Sequence, residues 1–101
     1  MAMPTNFRTY NLALEFYREC KLVSLRGPLR DQLLRAASSV ALNLAEGSAK
    51  PSLKDRMRFY GIAFGSMREC QSIIALEHLK PLELKADPLA ASLYRLTHPR
   101  A

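Results

Sequence analysis

Glycine is scarce in this chain, four in 101 residues, and no stretch alternates apolar and polar residues with the two-residue period of a half-buried strand. What remains has the proportions of an all-helical domain rather than of a sheet protein or a disordered tail. No run approaches the roughly 20 apolar residues that a helix needs to cross a bilayer, which excludes a helical membrane span. The opening Met1-Ala2-Met3-Pro4-Thr5-Asn6 is neither basic nor followed by an unbroken apolar region. That argues against a signal peptide, and a cytoplasmic protein is expected. The only cysteines, Cys20 and Cys70, each follow a glutamate and stand apart from any Cys/His cluster, so reduced thiols are expected and no metal site. Histidine occurs only at 78 and 98. With no triad, no glycine-rich phosphate loop, no His-x-x-x-His pair and no paired carboxylates at metal spacing, neither an enzyme nor a cofactor is expected. There are no internal repeats and no low-complexity segment.

Apolar residues at helical spacing fill the chain instead. A first helix is expected from a cap at Thr5 or Asn6 to about Leu25, with Phe7, Tyr10, Leu14 and Tyr17 in one stripe. These aromatics read as core or interface residues rather than as a platform for bases. Gly27-Pro28 marks a break and the first turn of a second helix, which runs to Glu46 and ends at Gly47. Ser52-Leu53-Lys54-Asp55 resembles a capping box that opens a third helix, from Leu53 to about Leu79. Gly61 and Gly65, four apart within it, are expected to let another helix approach closely. Asp87-Pro88 reads as the cap and first residue of a short fourth helix that ends near Thr97. Four helices with short connections imply one domain over residues 1–101, an antiparallel up-down four-helix bundle. The third helix outlasts its neighbours, so part of its apolar surface lacks cover and self-association is expected.

Two constellations stand out. Arg35, Ser39, Asn43 and Glu46 fall at steps of four, four and three along the second helix, and Arg58, Ser66 and Glu69 face them from the third. In an antiparallel hairpin this predicts Arg35 paired with Glu69 and Glu46 with Arg58, with Asn43 and Ser66 satisfying polar groups between. Such a latch sets helix register, and a ligand site is the alternative. The second constellation is charge: of the net +6, half falls in residues 48–60, where Lys50, Lys54, Arg56 and Arg58 stand against Asp55 alone. The cluster surrounds a helix N-terminus, which favours phosphate contact, while a solvated, charged helix end is the plain alternative.

These same residues carry a family resemblance. Ser39-Val40-Ala41-Leu42-Asn43-Leu44-Ala45-Glu46-Gly47 resembles the Asn-Ile-Ala-Glu-Gly signature of the four-helix-bundle proteins encoded in 23S ribosomal RNA intervening sequences. Gln32-Leu33-Leu34-Arg35-Ala36 precedes it as a Gln-x-x-Arg-Ala element. Arg58-Phe59-Tyr60-Gly61-Ile62-Ala63-Phe64-Gly65-Ser66-Met67-Arg68-Glu69 follows and is similar to the family's Arg-Phe…Ala-x-Gly-Ser…Glu segment. The resemblance implies a small bacterial antiparallel bundle assembled as a homopentameric barrel. It further implies kinship with the accessory variability proteins of diversity-generating retroelements, basic pentamers that bind nucleic acid and associate with a reverse transcriptase. Val40-Ala41-Leu42 departs from the usual Ile-Pro-Ser, the connection between the first two helices is short, and the fourth helix is brief.

The function expected is that of a non-enzymatic oligomer binding structured RNA or DNA through basic surface, with itself, a nucleic acid and a nucleic-acid-processing protein as partners. An oligomeric scaffold or adaptor for a protein partner is the alternative.

Overall fold

In a computed structural model that describes residues 7–99, the chain forms four helices, α1 (Arg8–Cys20), α2 (Pro28–Ser48), α3 (Leu53–Leu76) and α4 (Glu83–Thr97). No strand occurs among the described residues. Contacts close a ring, with α1 against α2, α2 against α3, α3 against α4 and α4 back against α1. The centre of this bundle is filled by Phe16 from α1, Leu33, Val40 and Leu44 from α2, Met67 and Cys70 from α3, and Leu89 and Leu93 from α4, all fully buried. Removing such side chains from water is worth about 1.5–3 kcal/mol apiece. The hydroxyls of Thr9 and Ser92 are buried too, and they satisfy each other across the α1–α4 contact.

Helix boundaries differ from expectation where packing outweighs local signals. The expected caps Thr5 and Asn6 lie outside the described residues. α1 stops at Cys20 instead of near Leu25, because the chain turns to bury Leu25 in the core. The Arg30 guanidinium then reaches over the end of the helix to the carbonyls of Lys21 and Val23, 3.4 Å from each. Gly27 enters α2 at φ +79°, a backbone conformation that a residue with a Cβ rarely takes, and Pro28 follows as its first residue. Ser52 caps α3 by accepting the Asp55 N–H at 3.1 Å. At its other end α3 stops at Leu76. His78 takes a left-handed conformation (φ 54°), and the Leu79 N–H closes back on the Ile74 carbonyl at 3.0 Å, the bond of a Schellman motif made without glycine.

Three expectations are corrected. Gly47 does not end α2, which continues to Ser48; it lies inside the helix, against α3. A Cβ there would come within 2.8 Å of Tyr60 Cε1 and 3.0 Å of Phe59 Cβ. Gly61 and Gly65, expected to admit a neighbouring helix, meet nothing of this chain within 4 Å of where a Cβ would stand. Within the chain, the close approach between α2 and α3 is made at Gly47 instead, since spacing alone does not reveal which face of α3 turns outward. Finally, Asp87-Pro88 does not start α4, nor is that helix brief. It begins at Glu83, after a 3-10 turn at Lys80–Leu82, and Pro88 sits inside it. Leu82 and Ala86, both 1% exposed, are drawn into the core and organise the first turn before the proline is reached. The hydrogen bond that Pro88 cannot donate leaves the carbonyl of Leu84, an exposed residue that water can serve.

Candidate nucleic-acid interface

The expected latch between α2 and α3 has a different composition. Ser39 Oγ and Ser66 Oγ meet at 2.8 Å, and Asn43 Nδ2 donates to the Ser39 carbonyl at 2.9 Å and to Ser39 Oγ at 3.1 Å. The structure forms neither predicted ion pair. Glu46 Oε2 instead binds Lys50 Nζ at 3.0 Å, one turn along, and Arg35 and Glu69 are both exposed. The reason is rotational. The small residues of α2 that face α3 sit deep, whereas Arg35 and Glu69 project from the flanks, where water solvates each charge better than a partner would. Asn43 is spent on the backbone of its own helix, with its amide back-bonded to position i−4. A neutral hydroxyl pair thus bridges the helices where two ion pairs were expected.

The four basic residues also separate in the structure. Lys50 is engaged by Glu46, and its ammonium lies 5.1 Å from the centroid of the Phe59 ring. Arg58 places its guanidinium carbon 4.5 Å from the same centroid, so one half-buried ring carries two cations. Arg56 folds back on the turn. Its Nη2 is 3.5 Å from the Pro51 carbonyl, while Nε is shut away from solvent with no partner. The Tyr60 phenol is pushed up from its ordinary pKa by burial, with the nearby Arg56 charge opposing that shift. Lys54 and Arg58 are exposed and one turn apart on α3, beside the helix N-terminus. The cluster therefore presents Lys54 and Arg58 outward, with Lys50 held partly neutralised against Phe59.

Sequence reasoning missed a second cluster, where α4 ends beside α3. Tyr94 and His98 stack with ring centroids 3.9 Å apart and planes within 10°, and Phe64 meets both edge-on at 6.1 and 5.8 Å. Arg68 holds its guanidinium 5.9 Å from the Phe64 ring. The signal available was the i, i+4 spacing of Tyr94 and His98 at the end of α4, which gives no sign of the Phe64 ring that meets both from α3. An apolar cleft of about 240 Å³ lies between α1 and α2, lined by Tyr10, Leu14, Tyr17 and Leu42 among others, and Leu42 is 68% exposed. Cys20 and Cys70 are buried thiols. Burial, with the Glu19 charge second, pushes Cys20 up to about 12, and burial raises Cys70 as well. Among the described residues no three His, Cys, Asp or Glu side chains converge as metal ligands would, and no helix is long and apolar enough to cross a membrane.

The sequence profile of the family described as 23S rRNA-intervening sequence protein matches residues 5–97. No curated protein matches the chain.

Proposed function

We propose, starting from the fact that the chain belongs to the 23S rRNA-intervening sequence protein family, that it is a non-enzymatic, self-associating antiparallel bundle that binds structured RNA or DNA through basic surface at one end. The observation that carries this reading is the outward pair Lys54 and Arg58 at the N-terminus of α3, backed by Lys50 and Arg58 over Phe59. Two cations at a positive helix end, neither of them in an ion pair among the described residues, favour a phosphate backbone over a neutral partner. The antiparallel arrangement is supported by contacts that run in opposite directions along the chain. Ser39 meets Ser66 while Gly47 faces Tyr60, and Thr9 meets Ser92 while Glu15 binds Lys85. Self-association is supported by Leu42 and Ile62, which stand 68% and 43% exposed on α2 and α3. A pentamer, with kinship to the retroelement accessory proteins, is the form we favour. Repeated round a ring, a weak basic patch becomes a continuous one and gains avidity.

The test is the anisotropy of a labelled RNA hairpin titrated with the protein at several salt concentrations. Affinity should fall steeply between about 50 and 200 mM salt, and Lys54→Glu with Arg58→Glu should weaken binding and flatten that dependence. Affinity that is absent, or indifferent to salt, would leave the adaptor for a protein partner as the better reading.

A further inference from the structure

The aromatic cluster where α4 meets α3 is not explained by the bundle. Core aromatics hide their faces, yet Tyr94 is 53% exposed and His98 is exposed beside it. The stack is nevertheless held in place. The Tyr94 carbonyl can only accept, so His98 Nδ1 donates to it at 3.0 Å, and Thr97 Oγ1 stands 3.0 Å from the same nitrogen. Thr97 Oγ1 in turn donates to the Leu93 carbonyl at 2.9 Å. Phe64 buttresses both rings from α3. A flat ring fixed at two points, with solvent on its outer face, offers stacking area at little entropic cost.

The surroundings are cationic. Arg68 lies against Phe64, and Arg95 is exposed in the last turn of α4. Arg58 and Phe64 are six residues apart on α3, a rise of about 9 Å, which one or two nucleotides can span. Between them on the helix surface Gly61 is exposed and raises no side chain in the way. We propose that the Tyr94–His98 pair is a stacking platform for an unpaired base of a single-stranded nucleic acid whose phosphates are held by Arg58 and Arg68. The inference rests on the nucleic-acid reading above and narrows it. The preferred ligand has a single-stranded segment, and stacking on an aromatic face accepts any base.

The experiment compares a short oligouridylate with an RNA duplex of equal charge, binding to the whole chain at low salt. The single strand should bind more tightly. His98→Ala and Tyr94→Leu should each lower its affinity about tenfold while leaving the duplex unaffected, and His98→Phe should restore it by keeping the ring without the Nδ1 bond. Stacking should also move the His98 ring-proton resonances upfield on adding oligouridylate. Both substitutions sit at an exposed helix end, and an unchanged melting temperature will show that they fold. If duplex and single strand bind alike and the variants change neither, the platform is overturned while nucleic-acid binding stands. If neither ligand binds, both readings fall. If the variants alter the protein's sedimentation rather than its affinity, the surface is a contact between copies and the proposal is wrong.

Discussion

Gly47 is the residue on which the α2–α3 contact depends most sharply. Its missing side chain leaves the space that Tyr60 and Phe59 occupy, and those atoms belong to bulky groups packed in the same contact. Gly47→Ala is expected to destabilise the protein by about 1–3 kcal/mol, read as a fall in melting temperature. Gly61→Ala meets open space on the outer face of α3 and should stabilise the helix by up to about 1 kcal/mol. The two thiols carry a pH dependence. Cys20 is raised from 9.0 to about 12 and Cys70 is raised too, so the folded state holds its protons more tightly than the unfolded chain. Their contribution is complete below pH 9.0 and is lost progressively as pH rises from there towards 12. Urea midpoints should therefore fall between pH 8 and 10.5, and the fall should be smaller in Cys20→Ala, whatever that variant's stability at neutral pH.

At the scale of the element, helix ends were set by tertiary needs more than by local chemistry. α3 closes on His78 at φ 54°, where glycine is the least strained residue. His78→Gly should stabilise the protein by about 0.5–1 kcal/mol in chemical denaturation, with no change in helix content. The α1–α2 connection uses Gly27 for its positive φ and the Arg30 guanidinium for the trailing carbonyls of α1. α4 shows a local signal being overruled. Asp87-Pro88 has the chemistry of a helix start, yet burying Leu82 and Ala86 extends the helix backwards through it. An exposed proline at 88 forgoes one backbone bond, and the apolar gain at two core positions outweighs that loss.

At the scale of the whole molecule, both apolar and basic side chains are exposed. With a radius of gyration of 13.3 Å the chain is as dense as a domain of its length should be, so the exposed Leu42 and the cleft beside it do not reflect loose packing. Sedimentation of the purified protein should show an oligomer, and Leu42→Glu should shift it to smaller species while helicity is retained. A monomer at all concentrations would remove self-association, and with it the continuous basic ring.

Composition and periodicity determine by themselves that this chain is helical, that it holds four helices whose ends fall within about five residues of those observed, and that charge gathers in residues 48–60. These are local properties, carried by side chains three and four apart and by breakers such as Gly27-Pro28. Family membership was legible for the same reason, because its motifs are contiguous. What the tertiary structure alone decided is which face of each helix turns inward. That rotation made Gly47 the close contact and left Gly61 open, replaced two expected ion pairs by the Ser39–Ser66 bridge, and set Lys50 and Arg58 over Phe59. It also drew Tyr94, His98 and Phe64 together from separate helices. Each outcome depends on the angle at which one helix packs on another, a quantity set by the whole core at once.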